Sequence, residues 1–468
     1  QIHYTVNPSD AMRNFIWSSS NPEFIQVDDT GAVYALPGTP DGTTATITIA
    51  SAYNSNIKST VEVVYSKTQQ TSTIKEDKSM TLLLYMSGGS RESEYGLASE
   101  TIQNILDLEM VYSGLNIVLQ TGGAKVWNGE TKISNNNLQR WHIENQKLVL
   151  DQTLENGNMG DSEVLEDFIE WGLKKYPAEE TGLVFWNNDG LEKDCIFDEN
   201  YLDGWFTNQE LDNAFKNSFK DANVNGKLSF VGFESSMMAI IDVAEICSHY
   251  FTKMVASQDV LGVFGWDYKT WIDSINSCYY KNGKCDFCLD NLCDSYIQIN
   301  ENTSEMNNCT LSVINLDYVC VSYKSKSVYT LWEERARTLM NDVFAEYPQA
   351  AYTMYKSVVS GMKHFGNSKE YGFYDMSTYL EASGTRYHHI YDIVDDVYYY
   401  AQWFSWFSIN SFVTHNAVGN GHKASGRATA QGLSFYFPTD EGNSYYSTNS
   451  TNLTSWKTFI EKITEMCA

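Results

Sequence analysis

From Met80 onward, the chain alternates between continuous apolar runs and segments whose apolar residues recur every three or four positions. Two of the runs are MTLLLYMSG and LNIVLQTGG, which have the composition of strands buried on both faces. The segment between them has helical spacing at Leu97, Ile102, Ile105 and Leu108. Strand, helix and strand in this order imply parallel strands and a right-handed crossover. The alternation therefore predicts an α/β fold of three layers, in which helices cover both faces of a sheet.

The pattern continues through two further strands. A helix is predicted from about Ser162, because apolar residues line one of its faces and Pro177 lies just beyond its last turn. The strand TGLVFWNND follows, and Thr207 and Glu210 then form a capping-box pair ahead of another helix. The next strand is KLSFVGFESS. We expect these two strands to be parallel neighbours in the sheet.

The first 66 residues have a different pattern. Polar and β-branched residues alternate in TATITIA and STVEVVY, and the turn signals DDTG and TPDG lie between the apolar segments. This pattern predicts a small antiparallel sandwich. Residues 67–79 are polar and have no periodicity, which is typical of a linker. We therefore predict an all-β domain over 1–66, a linker over 67–79 and the α/β domain over 80–468.

The charge of the chain restricts its partners. Fifty-nine acidic and 32 basic residues give a net charge of −27, which disfavours nucleic acid and anionic membranes and favours basic peptides or cations. No apolar run approaches the roughly 18 residues of a membrane-spanning helix. The chain opens at Gln1 and soon enters strand-like sequence, so we expect that an export segment has been removed. The expected partner is a peptide or protein, without nucleic acid binding or membrane insertion.

The nine cysteines do not indicate a disulfide framework, because their number is odd and most lie in apolar stretches. The densest group is Cys285, Cys288 and Cys293. A C-x2-C pair can hold zinc, but no second pair or suitably spaced histidine follows. We interpret these cysteines as buried helix residues, and we predict neither a metal nor a cofactor.

Ligands of parallel α/β sheets bind beyond the carboxyl ends of the strands. Two predicted strand ends are therefore the candidate site: Asn187-Asn188-Asp189 and Glu234-Ser235-Ser236. A strand that ends in Glu-Ser-Ser before a helix presents small polar side chains, as a nucleophile turn does. This arrangement makes Ser235 and Ser236 candidate nucleophiles.

The motifs GLVFWNND, VGFESSMMAIIDVAE, MVASQDVLGVFGWDY and AQGLSFYFP occur in the order seen in the clostripain family. Over roughly residues 80–440 the chain resembles this family of cysteine peptidases, which has a caspase-like fold. The resemblance implies a three-layer α/β/α sandwich and cleavage after basic residues by a histidine and a cysteine at neighbouring strand ends. The N-terminal segment resembles a bacterial group 2 Ig-like domain, which is typical of secreted or cell-surface proteins. The resemblance is carried by the sequence IWSSSNPEFIQVDDTGAVYALPGTPDGTTATITIA.

The two catalytic positions of the family hold other residues here. The family strand that ends Phe-Trp-(Asp/Asn)-His-Gly-Gly reads FWNNDG, so the histidine position is Asn188. The motif Phe-Asp-Ala-Cys-Leu-Met-Ala is matched by FESSMMA, so the cysteine position is Ser236. The resemblance further implies oxyanion donors at the backbone N–H groups near Gly190 and Ser236.

Chemistry predicts the consequence of these replacements. A cysteine thiol has a pKa of about 8.5 that an imidazolium readily lowers, whereas a serine hydroxyl needs a general base. The amide of Asn188 cannot accept that proton, and losing one member of a catalytic triad costs on the order of 10⁴ to 10⁶ in rate. We therefore predict an inactive homologue that still binds a peptide or protein. The alternatives are a peptidase in which Ser236 works with another base, and an engineered inactive form of an active enzyme.

Two carboxylates are predicted to bind substrate. Glu234 resembles the family's acidic residue in the pocket for the basic side chain, and Asp259 resembles a residue of the pocket wall. A carboxylate can hold a guanidinium group without any catalysis. The alternative for Glu234 is an ordinary glutamate at a strand end.

Overall fold

The computed structural model of the chain forms two compact units, Gln1–Glu76 and Asp77–Ala468. None of the helices in the described ranges combines the length and the hydropathy needed to cross a bilayer. The structure describes residues 15–65 except 29–30, 32 and 37–38; 78–187 except 109–113 and 130–131; 195–201; 206–300 except 263 and 283–285; 308–320; 349, 352–353, 356, 359–366, 372–376 and 378; 413–437 except 425–426 and 429; and 454–467.

The strands described in the N-terminal unit all pair in antiparallel fashion. A small core forms around Ile25, Ala45 and Ile47, with Trp17 packed against it. Gly31 has a φ of +81°, and a Cβ there would lie 2.7 Å from the Trp17 ring, so both backbone conformation and space favour glycine. The strands are β1 (Phe15–Ser19), β2 (Ile25–Val27), β3 (Val33–Ala35), β4 (Thr44–Ser51) and β5 (Lys58–Val64).

The larger unit is built on a mixed sheet whose described strands have the order β16-β13-β12-β11-β10-β6-β7-β8-β9. The five central strands, β12 to β7 in this order, are parallel, and the pairs at each edge are antiparallel. The strands are β6 (Lys78–Ser87), β7 (Leu115–Gly122), β8 (Gln139–Glu144), β9 (Lys147–Thr153), β10 (Ala178–Trp186), β11 (Phe230–Glu234), β12 (Lys253–Ala256), β13 (Thr310–Asn315), β14 (His364–Phe365), β15 (Phe373–Asp375), β16 (Val413–Val418), β17 (Lys423–Ala424), β18 (Arg427–Ala428) and β19 (Ser434–Tyr436).

The central strands contain continuous apolar runs because successive residues face two different cores. In β6, Leu83 and Tyr85 pack into one core while Leu82 and Leu84 pack into the other. Helices α3, α4, α5, α8 and α9 cover the first face, and α2, α6 and α7 cover the second, so the three-layer caspase-like sandwich is confirmed. The helices are α1 (Gly89–Tyr95), α2 (Leu97–Leu106), α3 (Ser162–Lys175), α4 (Asn208–Asp221), α5 (Ile241–Ser248), α6 (Tyr268–Asn282), α7 (Leu289–Asn300), α8 (Leu316–Cys320) and α9 (Thr454–Cys467).

Local signals place several helix boundaries. The capping box predicted at Thr207 and Glu210 is present at the start of α4. The segment predicted as one helix between β6 and β7 forms two, because Gly96 takes a left-handed φ of 70° and ends α1. The interpretation of Cys288 as a buried helix residue is wrong, since it precedes α7 and is half-buried with a φ of 47°. Cys293, by contrast, is buried within α7 as predicted, and Cys285 lies outside the described residues.

Candidate functional site

The strands predicted to frame the site, β10 and β11, are hydrogen-bonded parallel neighbours, and Trp186 is paired with Glu234. The next residue, Asn187, donates its backbone N–H to the carbonyl oxygen of Glu234 at 3.1 Å. Its side chain is fully buried, and neither amide atom has a hydrogen-bond partner in the described part of the chain. The predicted catalytic residue Asn188 and the predicted oxyanion residue Gly190 lie outside the described residues.

The chain turns sharply after β11. Met237, directly after Ser236, has a left-handed φ of 55°, which costs roughly 1–2 kcal/mol for a residue with a Cβ. Two hydrogen bonds hold the turn: Met237 N–H donates to Asp259 O at 3.2 Å, and Ala239 N–H donates to Ser257 O at 2.9 Å. Residues of the segment after β12 therefore fix the backbone around Ser236.

Ser236 lies in this turn with only 5% of its surface exposed. Its hydroxyl oxygen accepts a hydrogen bond from Leu261 N–H at 3.1 Å. Among the residues that the structure describes, no imidazole or carboxylate hydrogen-bonds to Ser236. Four described histidines contact carboxylates elsewhere: His142 with Asp151 at 3.1 Å, His249 with Glu245 at 3.1 Å, His415 with Asp294 at 2.8 Å and His422 with Asp259 at 2.9 Å.

Glu234 is buried at the end of β11, where only 1% of its surface is exposed. One carboxyl oxygen accepts a hydrogen bond from Trp266 N–H at 2.8 Å, and the other accepts one from the Tyr268 hydroxyl at 2.7 Å. Burial raises the pKa of Glu234 to about 8, although these two hydrogen bonds act in the opposite direction. The carboxyl group is therefore mostly protonated at neutral pH.

Glu234 and its two donors line a cavity of about 470 Å³ at the carboxyl ends of β10 and β11. The cavity wall combines aromatic rings with three carboxyl groups, and it contains no lysine or arginine among the described residues. Such a wall suits a cation or an aromatic group better than an anion. The lining residues are Leu97, Glu100, Thr101, Asn104, Trp186, Glu234, Phe264, Trp266, Asp267, Tyr268, Gln298 and Ile299.

Asp259 is not among the residues that line this cavity. One of its carboxyl oxygens contacts His422 Nε2 at 2.9 Å, and the other accepts hydrogen bonds from Val260 N–H and Gly366 N–H, each at 2.8 Å. His422 is fully buried. The side chain of Asp259 thus connects the segment after β12 with the C-terminal part of the fold, and its role in substrate binding stays a prediction.

The comparisons with known proteins identify the family and the fold. A sequence model of the clostripain family matches residues 84–464. The chain belongs to the clostripain family. Two structures with the same fold are an inactive zymogen C11 protease from Parabacteroides distasonis (18% identity, TM-score 0.53, 82% of this chain and 96% of that one) and a secreted C11 cysteine protease from Bacteroides thetaiotaomicron (14% identity, TM-score 0.52, 83% and 99%). No curated protein sequence gives a significant match.

Sequence reasoning missed several residues of this clostripain-family site. Trp266 and Tyr268 belong to the motif FGWDY, yet nothing in that motif indicates that they donate to Glu234. His422 is separated from Asp259 by 163 positions in the chain. Gln258 donates to Asp375 at 3.0 Å across 117 positions. Only the folded topology brings these groups together.

Proposed function

We propose that this clostripain-family chain does not hydrolyse peptides and that it binds a peptide or protein at the cavity beside Glu234. The proposal rests on the surroundings of Ser236 at the position of the family's cysteine. Its hydroxyl is a weak nucleophile without a general base. The described residues supply no such base, and the family's histidine position is Asn188, whose amide cannot accept a proton.

The cavity wall supports a partner with basic side chains. Glu100, Glu234 and Asp267 provide up to three negative charges, and the rings of Trp266 and Tyr268 attract cations through their faces. A carboxylate and a guanidinium group also form strong charge-assisted hydrogen bonds. The net charge of −27 favours approach of a basic ligand over long distances.

We further propose that the N-terminal unit is a bacterial Ig-like module and that the protein is secreted or attached to a cell surface. The antiparallel strands β1 to β5 and the packing of Gly31 against Trp17 are compatible with such a module. The relative from Bacteroides thetaiotaomicron is described as secreted. Detection of the protein in the culture medium or on intact cells tests this part of the proposal.

The binding proposal is tested with two fluorescently labelled peptides that differ only in arginine or citrulline, its uncharged analogue. We expect the arginine peptide to bind at least about tenfold more tightly above pH 8, a difference of about 1.4 kcal/mol. Below pH 8 the preference should decrease, because the cation must displace the proton of Glu234. Fluorescence anisotropy across this pH range measures both effects.

The variant Glu234→Gln should lose the preference for arginine and its pH dependence. Glu179→Gln is the matched control, since Glu179 is exposed near the start of β10, about 20 Å from its carboxyl end. This control should bind both peptides as the unmodified chain does. Equal affinity of the unmodified chain for both peptides, or binding to neither, contradicts the proposal.

A further inference from the structure

Three side chains that commonly bind metals converge where α6 is connected to α7. Cys278 lies in α6, while Asp286 and Cys288 precede α7. Their two sulfur atoms and one carboxyl oxygen all lie within 4.8 Å of one another. We propose that Cys278, Asp286 and Cys288 bind a divalent cation of the zinc type, although the sequence alone predicts no metal.

The ligand types select the class of metal. Zinc binds thiolate sulfur at about 2.3 Å and carboxylate oxygen at about 2.0–2.2 Å, usually with tetrahedral geometry. Ligand atoms on such a tetrahedron are separated by less than 4 Å, so small side-chain rotations close the observed arrangement. Magnesium and calcium prefer oxygen ligands alone, whereas thiolates favour zinc, cadmium or cobalt. Asp286 is exposed, which leaves a path for the ion and a coordination position for water.

The backbone before α7 holds two of the ligands in position. Cys288 donates its N–H to Asp286 Oδ1 at 2.8 Å, and its left-handed φ of 47° turns the chain at this point. Between these two residues, Phe287 is buried and its ring lies 4.7 Å from the ring of Phe230 in β11. The carbonyl oxygen of Phe287 also accepts a hydrogen bond from Trp271 Nε1 at 2.6 Å. Asp286 and Cys288 thus lie on either side of Phe287, which packs against the sheet.

The position of the site indicates a structural role for the metal. Cys278 is ten residues along α6 from Tyr268, or about 15 Å, so the ion is remote from the cavity beside Glu234. A bound metal would fasten α6 to the start of α7. Both helices contribute residues to the cavity wall, Tyr268 from α6 and Gln298 from α7. We therefore expect the metal to stabilise the fold without taking part in any reaction.

The experiment uses the full-length chain, reduced and freed of metal, and titrated with Co²⁺ and then with Zn²⁺. We expect a thiolate-to-cobalt charge-transfer absorption that zinc abolishes, one zinc per chain by elemental analysis, and a higher melting temperature with zinc. Cys278→Ser and Cys288→Ser should each lower the absorption, because one of the two thiolates is lost, and the double variant should lose it. Each single variant should weaken zinc binding at least about tenfold.

Two controls separate ligation from general damage to the fold. Asp286→Asn should weaken zinc binding, whereas Asp290→Asn, an exposed substitution in the first turn of α7, should not. Cys293→Ser, in the core of α7, should keep the cobalt absorption even if it lowers the melting temperature. Absence of stoichiometric zinc, a cobalt absorption of unchanged intensity in Cys288→Ser, or a native disulfide between Cys278 and Cys288 found by mass spectrometry overturns the proposal.

Discussion

At the residue scale, burial determines what Glu234 can do. The same carboxyl group at the surface would be charged and hydrated, but here only 1% of it is exposed and it accepts two hydrogen bonds from the protein. Its pKa of about 8 means that it becomes charged when the pH rises or when a cation enters the cavity. Two positions along the chain, the hydroxyl of Ser236 is held by a different contact, because its oxygen accepts a hydrogen bond from Leu261 N–H. 

The raised pKa of Glu234 predicts how stability depends on pH. The folded state binds the proton more tightly than the unfolded state, whose pKa is near 4.5. This contribution is complete below that pH, decreases as the pH rises and is lost above about pH 8. It amounts to a few kcal/mol at most, since one pKa unit corresponds to about 1.4 kcal/mol. Urea unfolding across this pH range measures it.

The matched variant for this measurement is Glu234→Gln, because its amide does not titrate. The free energy of unfolding of the variant should fall less steeply with pH than that of the unmodified chain between pH 4.5 and 8. The surface variant Glu179→Gln should follow the unmodified chain. Parallel profiles for Glu234→Gln and the unmodified chain show that the side chain is hydrated and contradict this assignment.

At the element scale, the segment after β12 fixes both the turn and the C-terminal part of the fold. The carbonyl oxygens of Ser257 and Asp259 hold the backbone around Met237, while the side chains of Gln258 and Asp259 contact Asp375 and His422. These contacts are all made by one short segment beside the parallel strands. The geometry of the turn therefore depends on residues that lie more than a hundred positions away in sequence.

The buried contact between Asp259 and His422 should be important for stability. His422→Ala leaves a buried carboxyl group without this partner, and breaking such a pair typically costs about 3–5 kcal/mol. The control is His415→Ala, whose partner Asp294 is 66% exposed, and exposed pairs contribute less than about 1 kcal/mol. Chemical denaturation of both variants compares the two costs. Equal losses would show that the buried contact has no special role.

The retained strands and turn predict that cleavage activity can be restored. Asn188→His together with Ser236→Cys supplies a base and a thiol at the two strand ends, and we expect slow cleavage after arginine or lysine. Either change alone should remain inactive, because the two groups act as one unit. Adding Asp189→Gly should raise the rate, since the family has glycine there. Failure of the triple variant on fluorogenic peptides argues that more than the reacting groups has been lost.

At the scale of the whole molecule, the strands that are buried on both faces are the elements that the sequence predicts. Strands β6 and β10 contain continuous apolar runs, which predict their presence and their parallel pairing with β7 and β11. The antiparallel edge strands β8 and β9 give no such signal, because half-exposed strands contain many polar residues. The sequence predicts the strand end at Glu234 and Ser236. The contact of Glu234 with Tyr268 and that of Ser236 with Leu261 depend on the path of the chain after β12.

We propose that this clostripain-family fold has lost its catalytic chemistry. Hydrolysis of fluorogenic peptides containing arginine or lysine, measured for the unmodified chain and for Ser236→Ala prepared in the same way, tests it most directly. Both proteins should give the same background rate, because Ser236 has no base among the described residues and Asn188 cannot serve as one. Cleavage by the unmodified chain that disappears in Ser236→Ala would contradict the claim and identify Ser236 as a working nucleophile.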